Sequence, residues 1–248
     1  MNSRRLFLAS TLLLLAVVFP LLNSSFKNAT NDSNGLTVEK LKTKSGYSYT
    51  LFHQNNLKLD ITLKRPDKKD QSVLLCIAGA FTNLQNLSVD GLYIEKGTVV
   101  NKEKINHSIG GALKIIHGVS EIFPTNKGAL LTDSYINTLV AQKGSLFQQI
   151  QLIEKGVGAK YKDVKLFQRR AIVKLKGNKT AIIESYEHIT LSAFTKDLIE
   201  LGAIDALYTD MGAWDEGWYK NAENNIVTLG RMKTQTDKQC NWVVFKTK

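Results

Sequence analysis

The sequence predicts an α+β fold with a largely antiparallel or mixed β-sheet, few helices, and a single domain after an N-terminal signal or anchor. Many short segments alternate apolar and polar residues, as half-buried strands do, and turn residues separate them. Only two segments have a helical pattern, and strands and helices do not alternate along the chain as they would in a parallel βαβ sheet. With 248 residues, the chain has room for one good-sized domain and an N-terminal appendage.

The first 22 residues have the pattern of a signal peptide or a membrane anchor. Arg4 and Arg5 precede an apolar run over residues 6–22, which together form a basic region and a hydrophobic region. The run is slightly short for a membrane span, and no convincing cleavage site follows it, so both alternatives stay open. In either case we expect an exported protein, either periplasmic, secreted or anchored facing outward. A polar linker and the start of the domain are expected over 23–45, and the domain itself over 46–248.

The first half of the domain is predicted to consist mainly of strands. Residues 47–53 and 57–64 alternate and are expected to form a hairpin across residues 54–56. The continuous apolar run 73–78 predicts a central strand. Residues 91–97 are interpreted as a short hairpin, and 110–117 as a further strand.

The second half of the domain contains both predicted helices. A short helix is expected over 133–141, with Asp133 or Ser134 as its N-cap, and the clearest helix over 190–201, between the N-cap Thr190 and Gly202. The remaining predicted elements are strands, at 146–153, 170–176, 180–184, 203–208, 226–229 and 242–245. The strands 170–176 and 180–184 are expected to pair across the turn dipeptide Gly177-Asn178.

Residues 208–219 follow a predicted strand and contain three acids, two tryptophans, two tyrosines and two glycines. An acidic, aromatic turn at a strand end is a common way to place a polar site on a rigid base. The alternative is a surface loop whose aromatic residues fold over the core. Asp210, Asp215 and Glu216, with Glu184 and Glu187 near the second helix, could supply a general acid and base.

The net charge of +11 allows several kinds of partner. A nucleic-acid surface, an anionic-glycan or membrane surface, and lysine-rich solubility are all compatible with it. The sequence has no zinc-finger spacing, RNP-like strand or basic helix with heptads, which weighs against nucleic acid. The four histidines have no metal-ligand spacing. Cys76 and Cys240 could form a disulfide, or Cys76 could be a buried apolar residue.

A basic cluster over residues 155–179 contains nine lysines and arginines against one acid, Asp163. Arginine can grip a phosphate through two parallel hydrogen bonds, so Arg169 and Arg170 are candidate ligands for an anion. As neighbours on a strand they should face opposite ways, and we expect only one of them to point inward. Trp214, Trp218 and Tyr219 would suit stacking against a sugar ring.

Several short segments also follow one another in a recognisable order: Ala78-Gly-Ala-Phe81, residues 91–97, Gln142-Lys-Gly-Ser-Leu146, Arg169-Arg-Ala-Ile172, a helix ending in Leu-Gly, and Tyr208-Thr-Asp-Met-Gly212. This order resembles the phosphodiester glycosidase domain family, over roughly residues 73–246. The family includes the enzyme that removes N-acetylglucosamine from a phosphodiester to uncover mannose 6-phosphate. The chain departs from the family motifs at several positions. Ala78 and Ala80 stand where asparagine and glycine are expected, and Ser145 and Arg170 stand where proline and threonine are expected. Met211-Gly-Ala-Trp214 replaces a glycine-rich run.

The resemblance implies hydrolysis of a sugar-1-phosphodiester linkage in a cell-envelope or extracellular glycoconjugate. It implies that Arg169 holds the phosphodiester and that Asp210 acts near the anomeric centre. With Glu187 from the acidic residues considered above, the catalytic candidates are Asp210, Arg169 and Glu187. The substrate-binding residues would be Gly79, Phe81, Gln142, Arg170, Trp214, Asp215 and Trp218. No metal site is assigned, although a divalent cation between Asp210 and a phosphate is compatible with these residues. The motif departures leave open a catalytically silent module that binds anionic glycans, and the net charge of +11 leaves open a surface adhesin or nucleic-acid binder.

Overall fold

The computed structural model describes residues 28–31, 35–101 and 105–248. The described chain contains two helices, α1 (Asp133–Ala141) and α2 (Leu191–Glu200). Its strands, in chain order, are β1 (Asn28–Asn31), β2 (Thr37–Lys42), β3 (Ser48–His53), β4 (Lys58–Thr62), β5 (Val73–Ala78), β6 (Tyr93–Glu95), β7 (Thr98–Val99), β8 (Gly111–Ile116), β9 (Val119–Pro124), β10 (Ser145–Gln149), β11 (Gln151–Glu154), β12 (Val157–Gly158), β13 (Arg170–Leu175), β14 (Lys179–Ser185), β15 (Ala203–Tyr208), β16 (Gly217–Lys220), β17 (Ile226–Leu229) and β18 (Trp242–Lys246).

These strands form three sheets. The largest has the order β1-β2-β3-β14-β13-β15-β11-β12, and the two five-stranded sheets have the orders β7-β6-β10-β8-β9 and β17-β16-β5-β18-β4. Every pair of neighbouring strands is antiparallel. The α+β class with largely antiparallel sheet is therefore confirmed for the described residues.

The eight-stranded sheet is covered on both of its faces. On β13, Ile172 belongs to the core shared with the five-stranded sheets, whereas Ala171 and Val173 belong to the core under α2. This alternation follows from the two-residue period of a strand. The same period sends the adjacent side chains of Arg169 and Arg170 to opposite faces, yet both are buried, at 6% and 0% exposure. The expectation that only one would point inward was wrong, because both faces of the sheet are interior here.

Several local predictions are confirmed. Strand β5 is the middle strand of its sheet, and β13 pairs with β14 across the turn at Gly177 and Asn178. Helix α2 begins after Thr190, whose side chain accepts a hydrogen bond from the backbone N–H of Ala193.

The predicted hairpin over residues 47–64 is wrong. Strand β3 pairs with β2 and β14, while β4 pairs with β18 in another sheet, so the turn between them connects two sheets. The predicted single strand 146–153 is likewise two strands, because the chain leaves one sheet after Gln149 and joins another at Gln151. In both places buried residues lie on either side of the junction, so local patterning does not show that the chain passes from one sheet to another.

Smaller differences concern element ends. The N-cap of α1 is Thr132 and not Asp133 or Ser134, since the Thr132 side chain accepts from the N–H of Tyr135. The hairpin expected at 91–97 lies slightly later, between β6 and β7. The segment 208–219, interpreted as a loop, runs into β16, and β2 and β9 were not predicted. No helix in the described ranges is long and apolar enough to cross a membrane; the apolar run 6–22 lies outside those ranges.

Candidate active site

A cavity of about 520 Å³ lies where the loop after β15 meets the start of β13 and the loop before α2. Apolar and aromatic side chains form most of its wall, including Phe81, Phe167, Leu191, Tyr208, Met211 and Met232. Charged or titratable side chains also line it, namely Asp163, Arg169, His188, Asp215 and Arg231. A concave, largely apolar site with a few converging polar groups is typical of a small-molecule site.

Asp210 follows β15 directly and ties it to the end of β5. Its backbone N–H donates to the carbonyl of Gly79 at 2.9 Å, and its carboxylate accepts from the backbone N–H groups of Thr82 at 3.2 Å and Met211 at 3.0 Å. Burial raises the pKa of the Asp210 carboxyl to about 7, against the hydrogen bond from Thr82, while the charge of Asp215 raises it further. Asp210 can therefore take up and release a proton near neutral pH.

The second acid of this loop, Asp215, is held by Arg170. The two terminal nitrogens of Arg170 each donate to one oxygen of Asp215, both at 2.8 Å, and its Nε donates to Glu184 at 2.6 Å. Burial by itself lowers the pKa of the Arg170 guanidinium, but the two carboxylates outweigh it and the net change is upward. Arg170 and its partners therefore form a buried charged group, and both carboxylate oxygens of Asp215, which lines the cavity, accept hydrogen bonds from Arg170.

Two glycines allow the close approach of backbone around these acids. Gly230 has a φ of +73°, and a Cβ there would lie 2.5 Å from Oδ2 of Asp215. A Cβ on Gly79 would lie 2.7 Å from Oδ1 of Asn241, the side chain that bridges both backbone groups of Ala80. Gly79 thus contributes its carbonyl to Asp210 and its small size to packing.

Arg169 lies in the cavity wall, but protein groups occupy most of its donors. Its Nε donates to the carbonyl of Ile189 at 3.2 Å, and Nη2 donates to Asp163 at 3.0 Å and to the carbonyl of Lys165 at 2.9 Å. Its Nη1 contacts the hydroxyl of Tyr208 at 3.4 Å. These contacts fix the buried Arg169 side chain in the cavity wall, with about one N–H left for a ligand.

The predicted aromatic ligands are in different positions. Phe81 lines the cavity, at a ring-centroid distance of 6.1 Å from Tyr208. Trp214 is half-buried and donates from Nε1 to Gln235 at 2.8 Å, outside the cavity lining. Trp218, 1% exposed, packs in a core cluster with Cys76 and is not available for a sugar ring.

Three polar residues considered above also lie apart from the cavity lining. Glu187 accepts from the backbone N–H of Ser48 at 2.8 Å. Gln142 is exposed at the C-cap of α1 and lines a separate groove. Glu216 pairs with Arg65 at 2.6 Å. Of the predicted site residues, Phe81, Arg169 and Asp215 line the cavity. Arg170 adjoins it through Asp215, and Asp210, bonded to Gly79, adjoins it between Tyr208 and Met211, but these three do not line it themselves. Glu187, Gln142, Trp214 and Trp218 lie outside.

Several cavity residues were missed by sequence reasoning. Asp163, His188, Arg231 and Met232 line the cavity from irregular segments, which have no periodic pattern. One signal was present for Arg231. A glycine, Gly230, directly follows a strand, which is the same pattern that drew attention to Gly79.

The described ranges contain no group of three or more His, Cys, Asp or Glu side chains arranged to hold a metal ion. Cys76 and Cys240 are both free thiols, Cys76 being buried. The disulfide considered from the sequence is therefore absent.

Comparison with known proteins shows similarity at the level of the fold. The catalytic domain of zebrafish N-acetylglucosamine-1-phosphodiester alpha-N-acetylglucosaminidase, in a form auto-inhibited by its pro-peptide, matches with a TM-score of 0.57 and 12% identity, over 92% of this chain and 85% of that chain. A hypothetical protein from Synechocystis matches with a TM-score of 0.59 and 12% identity, over 90% of this chain and 64% of that one. No family model and no curated protein matches the sequence.

Proposed function

We propose that this protein is an exported hydrolase that cleaves a sugar-1-phosphodiester linkage in a cell-envelope or extracellular glycoconjugate. One observation carries the proposal: Asp210, with a pKa of about 7, lies in the chain between Tyr208 and Met211, which line an apolar-walled cavity, although the Asp210 side chain is not itself part of that lining. The distant fold similarity to a phosphodiester glycosidase supports the reaction class, and the basic and apolar residues 1–22 support export.

In the proposed reaction, the ionised carboxylate of Asp210 acts as a general base. It accepts a proton from a water molecule whose oxygen attacks the anomeric carbon of the sugar. The bond between that carbon and the phosphate oxygen breaks, and its electron pair leaves with the phosphate. The products are a free sugar and a phosphate monoester. Because the departing phosphate is a weak base, it needs little help from a general acid, and one titrating carboxyl is enough.

The cavity offers separate surfaces for the two parts of such a substrate. Phe81, Phe167 and Tyr208 provide aromatic faces suited to the apolar face of a sugar ring. Arg231 and His188 provide basic groups for the phosphodiester. A volume of about 520 Å³ is within the range of ordinary small-molecule sites.

A catalytically silent module that binds anionic glycans is the second candidate, and the hydrogen bonds of the site favour it. Asp215 is held by Arg170, and Arg169 is held by protein acceptors. The second carboxyl group that most glycosidases use is therefore committed to an ion pair here.

The test is a turnover assay on the purified full-length chain, with chromogenic sugar phosphodiesters and simple glycosides, with and without a chelator. We expect hydrolysis of a phosphodiester and a loss of roughly 100-fold or more in Asp210→Asn, the usual contribution of a general base. Glu223→Gln is the matched control, because this carboxylate is exposed on the turn between β16 and β17. Full activity in Asp210→Asn would remove Asp210 from the reaction, while saturable binding without turnover would favour the silent module.

A further inference from the structure

We infer that Arg231 is the anion receptor of this site, and that the aglycone of the substrate runs past it into a second groove lined by Lys40 and Lys42. The inference rests on the proposed function for the identity of the ligand, a sugar-1-phosphodiester whose aglycone carries a further anionic group. The placement of the charges that would bind it follows from the side chains themselves.

The first argument is the availability of hydrogen-bond donors. Arg169 and Arg170 have most of their guanidinium N–H groups on protein acceptors. The Arg231 side chain makes no hydrogen bond or ion pair with any residue in the described ranges. A phosphodiester in the cavity therefore meets a guanidinium with all five donors unused.

The second argument is the way in which Arg231 is positioned. Its guanidinium carbon lies 4.1 Å from the ring centroid of Tyr186, which is a cation–π contact between two exposed side chains. This contact holds the guanidinium near the ring without using any of its N–H donors. The neighbouring Gly230 lies close to Asp215, and both residues line the same cavity as Arg231.

The third argument is position between two depressions of the surface. Arg231, Gly230 and Gln168 line the 520 Å³ cavity and also a second groove of about 610 Å³. A ligand whose phosphate is bound by Arg231 can therefore place its sugar in the first space and its aglycone in the second.

The second groove is basic on its outer wall. Lys40 and Lys42 line it from β2, and both are exposed. Being two residues apart on a strand, they project from the same face. Glu184, the acid of this groove, is already paired with Arg170. The groove thus suits an aglycone with a phosphate or another acidic group.

The test measures binding, so that it does not depend on turnover. Isothermal titration is performed on the full-length chain carrying Asp210→Asn, with three kinds of probe: hexose 1-phosphate methyl diesters, the same diesters with a second phosphate on the aglycone, and neutral methyl hexosides. We expect Arg231→Ala to weaken both kinds of diester about tenfold or more, and Arg231→Lys to recover only part of that loss, because lysine cannot form the paired hydrogen bonds. The combined Lys40→Ala and Lys42→Ala variant should weaken only the longer diesters, several-fold.

Lys196→Ala, an exposed lysine of α2, is the control for loss of charge alone. Unchanged diester binding in Arg231→Ala, or no binding of any diester to the parent protein, would overturn the receptor assignment. If the Lys40 and Lys42 variant lost the same affinity for short and long diesters, the groove assignment would be overturned, and the two lysines would act only through general electrostatic attraction. Loss of binding in Arg231→Ala in a protein that never hydrolyses a diester would keep this inference and refute the hydrolase.

Discussion

Replacing Asp210 with asparagine should change the pH dependence of stability in a defined direction. The pKa of the Asp210 carboxyl is raised from its ordinary value of 3.8 to about 7 in the folded protein. Between these values the folded state holds a proton that the unfolded state has released. The free energy of unfolding of the wild type therefore falls as the pH rises, and the loss is complete above about pH 7. Below pH 3.8 this contribution is fully present.

The magnitude follows from the shift. Each pH unit between the two pKa values is worth about 1.4 kcal/mol, so the two units between pH 5 and the folded-state pKa correspond to about 3 kcal/mol. Asparagine does not titrate, so the variant does not lose this pH-dependent part of the free energy of unfolding. It has one acceptor oxygen where the carboxylate has two, so an N–H of Thr82 or Met211 loses its partner, at a pH-independent cost of about 1 kcal/mol. Asp210→Asn should be slightly less stable than the wild type at pH 5 and about 2 kcal/mol more stable at pH 8.

Urea denaturation followed by the fluorescence of the three tryptophans, at pH 5, 6, 7 and 8, measures this difference. Glu223→Gln should show no such trend, since that carboxylate is exposed. A difference between wild type and Asp210→Asn that stays constant from pH 5 to 8 would show that Asp210 is already ionised at pH 5. It would refute both the raised pKa and the general base built on it.

Three further predictions concern activity and packing. If Asp210 is the general base, kcat/KM of the wild type should rise with pH to a plateau above about 7, and a rate profile that falls through this range would instead make Asp210 a proton donor. Arg170→Met should lower the free energy of unfolding by roughly 3–5 kcal/mol, because it leaves Asp215 and Glu184 buried without their cation. Urea denaturation at pH 7 measures this loss, and a loss below about 1 kcal/mol would contradict the structural role of Arg170. Trp218→Ala should lower the free energy of unfolding by about 3–5 kcal/mol, because it opens a cavity in the core. Phosphodiester binding by the folded variant should be unchanged, and a binding defect without loss of stability would return Trp218 to the site.

The elements predicted correctly are those with local signals. The pairing of β13 with β14 depends on a turn dipeptide between adjacent apolar strands, and α2 on a capping threonine, an apolar face and a terminal glycine. The wrong predictions concern partners far away in sequence. Nothing within residues 47–64 indicates that β3 pairs with β14 while β4 pairs with β18. Strand pairing depends on which arrangement buries the apolar faces of the whole sheet, and the residues of one short segment do not contain that information.

The residues around the candidate site also divide into those indicated by local sequence signals and those revealed only by the fold. Asp210 was singled out because its residue type, its strand-end position and the motif resemblance are all visible in the sequence, and its role stays a prediction. Trp218 was misplaced, because an aromatic side chain that stacks on a sugar and one that fills a core look alike in the chain. Arg231 was not found at all, because it lies in an irregular segment.

The sequence by itself determined the α+β class, most strand and helix positions, and the presence of an acidic residue at the end of β15, since these depend on periodicity and turn chemistry within a few residues. Only the tertiary structure decided which charged groups remain available to a ligand. Arg169 and Arg231 are the same residue type, but the first donates to the carbonyls of Lys165 and Ile189 and to Asp163. The second contacts the ring of Tyr186 and donates to no residue in the part of the chain that the structure describes. That difference is set by which acceptors the fold brings within about 3 Å of each guanidinium.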